Sequence, residues 1–296
     1  MFHLFGKKGA ALEADLAEYQ RKRNWAGLAK AYYRLGAEAM DNGNPNRAVL
    51  WLSRADTIYS ADDAVYTAVG EKLINDCSER IARLECEPLL YNTVPAKVEE
   101  MAEALGDVKI RVWGLLSLAR LVKLGKRVAG LPGCEVFGRL GWAVDTVQKS
   151  LQEPPTEEEF NGLRDMCGEL YELGDSPEFW GVGSEINVPG GAAFQVFDFN
   201  GMQGIHLEID AYLDTHLKTI CALGQGEELP SPEAGIITAA LLPDYYVRTG
   251  AGNPEEIPQV KDELERIWHD YEFVCADITW ELIRQRIEAY KEIDIL

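Results

Sequence analysis

Residues 25–60 read WAGLAKAYYRLGAEAMDNGNPNRAVLWLSRADTIYS, and this stretch decides how the first third of the chain folds. Apolar side chains recur in its first half at intervals of three and four, the spacing that lines one side of a helix. They are Leu28, Tyr32, Leu35 and Ala39. Polar residues 41–44 end that helix, and Pro45 begins the next, because a helix start leaves its first N–H groups unbonded and proline lacks one. We therefore expect two helices folded back on each other.

Part of this stretch is repeated further along the chain. Tyr32, Gly36 and Ala48 recur 34 positions later as Tyr66, Gly70 and Ala82. A period of about 34 residues is typical of helix pairs that stack into solenoids. Small residues at such positions let two helix backbones approach closely. The repeat predicts a helical scaffold with a surface that can bind a partner.

These residues resemble a tetratricopeptide repeat. Tyr32 stands where that family often has Trp or Tyr, and Leu35-Gly36 matches its Leu-Gly pair. Ala48 and Ala55 fall at the two small positions of the second helix. Ser60 replaces the usual terminal proline. The resemblance implies helical hairpins that bind another protein.

A second, less complete copy of the repeat follows. Tyr66, Val69, Gly70 and Ala82 match the family pattern. Residues 75–78 would form its turn, and Leu89 stands where a second small residue is expected. Two copies fall short of the ~3 that a free-standing solenoid needs. Later helices must therefore complete the stack.

Composition sets limits on the partners. The chain has 49 acidic and 29 basic residues and a formal charge of −20. Such a field repels nucleic acid and anionic membranes, and it attracts a basic partner. Residues 1–8 lack the order of a secretory signal, and the apolar stretch 112–124 is too short and too charged to span a bilayer. We expect a cytoplasmic protein with its oligomeric state undetermined.

The six cysteines are scattered and form neither a Cys-x-x-Cys pair nor a Cys-His cluster with zinc spacing. They indicate reduced and mostly buried thiols. The sequence implies neither a structural metal nor a cofactor. A run of basic residues between 109 and 139 contrasts with the acidic chain, and we interpret it as counter-charge to neighbouring acidic helices, with an anionic ligand as the alternative.

The helical pattern changes after about residue 175. We expect a helical, tetratricopeptide-like domain at 1–175 and a smaller α+β domain at 176–296, although one continuous core is also compatible with the pattern. Apolar and polar residues alternate around Asn200-Gly201, a sequence typical of a β-hairpin turn. The sequence therefore predicts a β-hairpin near 192–211, followed by a helix at 212–223 and a long helix at 257–293.

The predicted hairpin contains the best candidates for chemistry. On a strand, His206, Glu208 and Asp210 would project from one face, and a histidine beside two carboxylates can bind a metal or act in acid–base catalysis. His216 could join them. A solvated strand face is the alternative interpretation. No second motif supplies a nucleophile or a phosphate loop.

Two functional classes follow from these patterns. The first is a non-catalytic protein-binding protein, most concretely an acidic intracellular inhibitor or immunity protein that occludes a partner such as a toxin domain. Its candidate partner-binding residues are Tyr33, Met40, Phe179 and Trp180. The second class is a metal-dependent or acid–base hydrolase centred on His206, Glu208 and Asp210. We expect the first class, with another protein as the partner.

Overall fold

We describe the protein from a computed structural model. It describes residues 16, 18–19, 21–60, 63–87, 89–131, 133–174, 179, 192–225, 234–239, 241 and 258–295. Every regular element in these ranges is a helix. In chain order they are α1 (Trp25–Asp41), α2 (Pro45–Ser60), α3 (Asp63–Val69), α4 (Glu71–Glu85), α5 (Leu90–Glu103), α6 (Asp107–Arg120), α7 (Val122–Val128), a 3₁₀ helix (Glu135–Arg139), α8 (Leu140–Ser150), α9 (Glu157–Gly174), α10 (Ala192–Gln225), α11 (Gly235–Ala239), α12 (Pro258–Cys275) and α13 (Trp280–Tyr290).

The predicted β-hairpin at 192–211 is wrong. These residues lie inside α10, a helix of 34 residues. The apparent alternation conceals a helical pattern, because polar His206 is buried and apolar Leu207 is 49% exposed. Between residues 205 and 216 the buried positions recur at helical intervals of three and four, and they are Ile205, His206, Ile209, Tyr212, Leu213, Thr215 and His216. Within the described residues the C-terminal part is therefore helical and not α+β.

The chain divides into two compact units. Most of the described part of the first unit precedes Val94, and the second unit comprises Val94–Gly174, Gly201–Leu242 and Glu255–Leu296. The domain boundary at 175–176 adjoins residues outside the described ranges and stays a prediction.

Helices α1 and α2 of the first unit pack closely, as the sequence predicts. A Cβ atom placed on Gly36 would lie 2.6 Å from Leu52 Cγ, so any side chain there would collide with α2. Ala48 and Ala55 are completely buried. Tyr32 stacks on Trp51 with ring centroids 5.2 Å apart. The N-terminal part therefore contains a helical hairpin built on small residues.

The second repeat copy forms helices, but its turn is not where the sequence predicts it. Residues 75–78 lie inside α4, and the break falls at Gly70, whose φ of +96° is a conformation that glycine adopts readily. Tyr66 and Ala82 are exposed. The side chains that matched the repeat thus do not pack like their counterparts in the first hairpin.

The second unit is built around α6, which packs against α8, α11, α12 and α13. Trp113, Leu115 and Leu116 in this helix are completely buried. Gly114 allows α10 to approach, since a Cβ atom on it would lie 2.6 Å from the Tyr212 ring. Apolar burial on several sides of α6 makes it the core of this unit.

Thr156 followed three positions later by Glu159 predicts a capping box at the start of α9, and the structure confirms it: Glu159 N donates to Thr156 Oγ1 at 3.2 Å, and Thr156 N donates to Glu159 Oε2 at 2.7 Å. The long helix predicted at 257–293 is instead two helices. Thr279 caps α13 by accepting a hydrogen bond from Leu282 N at 3.4 Å.

Candidate functional site

The three residues proposed for catalysis do not share a face. On a helix, side chains two positions apart point in nearly opposite directions. His206 is buried. The Glu208 carboxylate lies against Gly235, where a Cβ atom would come within 1.8 Å of Glu208 Oε2. Asp210 lies near the Cys167 thiol. The shared polar face expected for His206, Glu208 and Asp210 is therefore wrong, because it required a strand.

The neighbourhood of Asp210 disfavours nucleophilic chemistry. Burial and the charge of Asp214 raise the pKa of the Asp210 carboxyl above its usual range. Burial, followed by the nearby Asp210 and Asp214 carboxylates, raises the pKa of Cys167 to about 12. Since the thiolate is the reactive form of cysteine, this thiol is a poor nucleophile at neutral pH.

His216 pairs with a serine that was not among the predicted residues. His216 Nε2 lies 2.6 Å from Ser150 Oγ, and Ser150 Oγ donates to the carbonyl oxygen of Val147 at 2.8 Å. A serine hydroxyl has one proton. When that proton is donated to the Val147 carbonyl, Nε2 donates to Oγ, which is opposite to the direction that activates a serine nucleophile. Burial, with a smaller effect from Arg111, lowers the pKa of His216 to about 4.

A buried charge network ties α6 to α12. Arg120 Nε donates to Glu263 Oε1 at 2.7 Å, and Arg120 Nη1 donates to Asp270 Oδ2 at 2.5 Å. Tyr290 OH and Arg286 also bond to the Asp270 carboxylate, at 2.7 and 2.8 Å. These groups are satisfied by one another. The network therefore stabilises the second unit. The oxygens of both carboxylates are already hydrogen-bonded within the unit, so they are not available to bind a substrate.

The remaining basic run also contacts groups within its own unit. Arg127 Nη1 lies 2.6 Å from Asp294 Oδ1, and Arg139 Nη1 lies 2.7 Å from Glu169 Oε1. Lys109 Nζ donates to the backbone oxygen of Cys275 at 3.0 Å. These contacts agree with the interpretation of the run as counter-charge.

Two predicted partner-binding residues belong to a cluster on the first unit. We name Tyr33, Met40, Asp41, Asp76 and Arg80 the α1–α4 cluster. Tyr33 OH donates to the Asp76 carboxylate, and Arg80 Nε donates to Asp76 Oδ2 at 2.6 Å. Arg80 Nη1 lies 3.8 Å from the Met40 sulfur and 3.9 Å from Asp41 Oδ1. The cluster thus joins an aromatic ring, a thioether and charges of both signs.

The cluster is partly accessible and its charges are well defined. The side chains of Asp41 and Asp76 are 76% and 43% exposed, whereas Tyr33, Met40 and Arg80 are half-buried. The hydrogen bond from Tyr33, followed by that from Arg80, lowers the pKa of Asp76 below its usual range. Asp76 is therefore ionised at neutral pH and holds the Tyr33 hydroxyl in a fixed direction.

Sequence reasoning missed Asp76 and Arg80. The signal was present, because residues four positions apart face the same side of a helix and oppositely charged pairs stabilise that spacing. It was hidden because residues 75–78 were assigned to a turn. Of the other two predicted residues, Phe179 is buried at 3% exposure, and Trp180 lies outside the described residues.

The described part of the chain contains neither a disulfide nor a cluster of side chains arranged for a metal ion. All six cysteines are free, and Cys77, Cys134 and Cys167 are the buried ones. The described ranges contain no group of three or more His, Cys, Asp or Glu side chains placed to hold a metal ion. Among the helices described, none has the length and apolar character needed to cross a membrane.

Comparison with known proteins adds no family. The chain matches no protein-family model, no curated protein and no solved structure.

Proposed function

We propose that this protein is a non-catalytic binding protein whose first unit holds another protein at the α1–α4 cluster. The observation that carries the proposal is the arrangement of Tyr33 and Met40, which meet the Asp76–Arg80 ion pair on a partly accessible surface. The predicted catalytic residues give no comparable support, because α10 places Glu208 on the opposite side from His206 and Asp210.

The chemistry of the cluster suits protein recognition. Tyrosine, arginine and methionine are enriched at protein interfaces, and tyrosine and arginine dominate their binding energy. Side chains that are already held in place lose less conformational entropy when a partner binds. Because Asp76 accepts hydrogen bonds from both Tyr33 and Arg80, the cluster is ordered before any partner arrives.

The finer proposal is a tetratricopeptide-like inhibitor or immunity protein that occludes a basic partner. The close α1–α2 hairpin and the formal charge of −20 support this version. An acidic protein attracts a basic one over long distances and raises the rate of encounter, and this effect falls with ionic strength. A toxin domain with a basic active-site surface is a partner of this chemistry.

The test uses recombinant products of the reading frames that flank the gene for this chain. Each product is titrated against the purified chain by calorimetry at low and high salt, and its activity is assayed with and without the chain. We expect one product to bind, with affinity that falls as salt rises, and to lose its activity in the complex.

Matched variants locate the binding surface. Tyr33→Ala and Arg80→Ala should each weaken binding by about 2 kcal/mol if they are hot spots. Tyr171→Ala removes a tyrosine that is 62% exposed in the second unit and should change nothing. If Tyr33→Ala and Arg80→Ala bind the product as tightly as Tyr171→Ala and the unsubstituted chain do, the α1–α4 cluster is not the binding surface. A bound product that keeps full activity would refute the inhibitor role.

A further inference from the structure

One half-buried arginine of the second unit differs from the others in its partners. Arg111 Nε donates to the backbone oxygen of Asp107 at 3.2 Å, and no carboxylate of the described residues forms an ion pair with its guanidinium. Burial lowers the pKa of Arg111, so its charge is partly removed from water. The other buried or half-buried arginines of this unit each lie within 3.2 Å of a carboxylate oxygen, and they are Arg120, Arg127, Arg139, Arg266 and Arg286.

A buried histidine close to Arg111 also has an unused polar atom. His216 is 1% exposed, and its Nε2 lies 2.6 Å from Ser150 Oγ. Its Nδ1 is buried and has no hydrogen-bond partner among the described residues. Buried polar atoms in native proteins nearly always have a partner. A group from outside the chain would therefore complete the hydrogen bonding of this imidazole.

Helices α6 and α10 bring Arg111 and His216 together. Tyr212 OH donates to the backbone oxygen of Arg111 at 2.9 Å. Gly114, one turn after Arg111, lets the Tyr212 ring approach α6 closely. His216 follows Tyr212 by four positions, so both side chains lie on the same face of α10. The charge of Arg111 lowers the pKa of both Tyr212 and His216, against the larger effect of burial on Tyr212. The guanidinium therefore lies beside this face.

The chemistry of this pair favours a carboxylate. A guanidinium presents five N–H donors in one plane, and a carboxylate can accept two of them in parallel. One arginine compensates one negative charge, whereas a phosphate dianion would need a second cation in a chain whose formal charge is −20. A hydrogen bond at a partly buried position is also stronger than one in water.

We propose that Arg111 and His216 form a binding site for a small carboxylate ligand. Arg111 donates to the carboxylate through the N–H groups that the backbone of Asp107 does not use. His216 donates from Nδ1 and keeps its contact with Ser150 through Nε2, so the imidazole takes up one proton from solvent when the ligand binds. This site lies in the second unit and is independent of the function proposed for the first.

The test uses acetate as its probe and the full chain labelled with ¹⁵N in its histidines. Sodium acetate, sodium phosphate and sodium chloride are added in separate titrations at constant ionic strength, and NMR follows the imidazole nitrogens. We expect acetate to shift the His216 signals saturably and to leave those of His269, which is exposed, in place. An equal response of His216 to chloride would overturn the proposal. Tighter binding of phosphate than of acetate would overturn the choice of a carboxylate.

Variants of Arg111 test its part in the site, after circular dichroism has shown that each variant folds. Arg111→Met should weaken acetate binding at least about tenfold. Arg111→Lys keeps the charge but lacks the planar donors, so it should also weaken binding. Arg284→Met removes the same charge from an exposed arginine whose partner is Glu281 in the same helix, and it should leave the affinity unchanged. Acetate affinity that is unchanged in the Arg111 variants would overturn the proposal.

A pH series tests the proton uptake at His216. Burial, with a smaller effect from Arg111, holds the pKa of His216 at about 4 in the free chain, and a carboxylate beside Nδ1 would raise it. The groups described around His216 are Arg111 on α6, Ser150 on α8 and Tyr212 on α10, and none of them changes its charge between pH 7.5 and 5.5. Acetate affinity should therefore rise as the pH falls across this range. A constant or falling affinity would contradict the role of His216.

Discussion

Arg120 and Asp270 form an ion pair that is closed to solvent: Arg120 Nη1 lies 2.5 Å from Asp270 Oδ2, and both side chains have zero exposure. The residues are 150 positions apart, so the pair joins α6 to α12 across half of the sequence. Glu263 accepts a second hydrogen bond from Arg120. The arginine therefore compensates two buried carboxylates at once.

Arg120→Met should destabilise the protein strongly. It leaves Glu263 and Asp270 without their shared partner, and breaking a buried pair in this way typically costs about 3–5 kcal/mol. The free energy of unfolding in urea measures the loss. Arg284→Met is the control, because Arg284 and Glu281 are 61% and 55% exposed, and it should cost less than about 1 kcal/mol. Similar losses in the two variants would contradict the role of the network.

Gly36→Ala should destabilise the first unit by about 1–3 kcal/mol. The added methyl would collide with Leu52, and this cost exceeds the roughly 1 kcal/mol that alanine gains over glycine in a helix. Gly168→Ala is the matched change, since Gly168 in α9 has no atom within 4 Å of the new methyl. That variant should be more stable than the unsubstituted chain. Thermal unfolding followed by circular dichroism distinguishes the two signs.

His216 should make stability fall as the solution is acidified. Its pKa is about 4 in the folded protein and 6.5 without the surrounding structure. Between these values the unfolded chain binds the extra proton, so stability is complete above about pH 7 and declines as pH falls from 6.5 towards 4. The full effect is about 3 kcal/mol.

Urea unfolding between pH 7.5 and 4.5 measures this dependence. His216→Gln should reduce the change of the free energy of unfolding with pH. His269→Gln changes an exposed histidine and should leave this pH dependence as it is. The difference between each variant and the unsubstituted chain cancels the titration of the other groups. An unchanged slope in His216→Gln would show that this histidine does not titrate as its burial requires.

Ile209→Ala and Leu207→Ala test the helical assignment of α10. On a strand, these side chains would share one face and have similar effects. In the helix Ile209 is completely buried and Leu207 is 49% exposed. Ile209→Ala should therefore cost about 2–5 kcal/mol, and Leu207→Ala less than about 1 kcal/mol. Equal costs in urea unfolding would favour the strand.

Features of this chain that depend on neighbouring residues follow from its sequence, and features that depend on distant residues do not. Pro45 at a helix start and the Thr156–Glu159 capping box involve neighbours within a few positions, and both were predicted correctly. The position of the turn in the second repeat was predicted wrongly, because both Gly70 and residues 75–78 could end a helix by their local sequence. The choice between them depends on packing among α2, α3 and α4.

The candidate site was predicted in part for the same reason. Tyr33 and Met40 were named from the first helix, but Asp76 is 43 positions from Tyr33 and Arg80 is 40 positions from Met40. Their meeting follows from the packing of both α1 and α4 on α2. No periodic pattern in either helix alone specifies which side chains will touch.

The sequence by itself determined the helical character of the first third of the chain, the close α1–α2 hairpin and the acidity, because spacing, small residues and charge act locally or add up along the chain. Only the tertiary structure decided that residues 192–211 form a helix and that Arg120 is buried. Residue type alone misled the prediction here, because polar His206 is buried and apolar Leu207 is exposed. When polarity is taken as a guide to burial, this part of the helix looks like an alternating strand. A buried charge is stable only beside partners that the fold brings from distant positions.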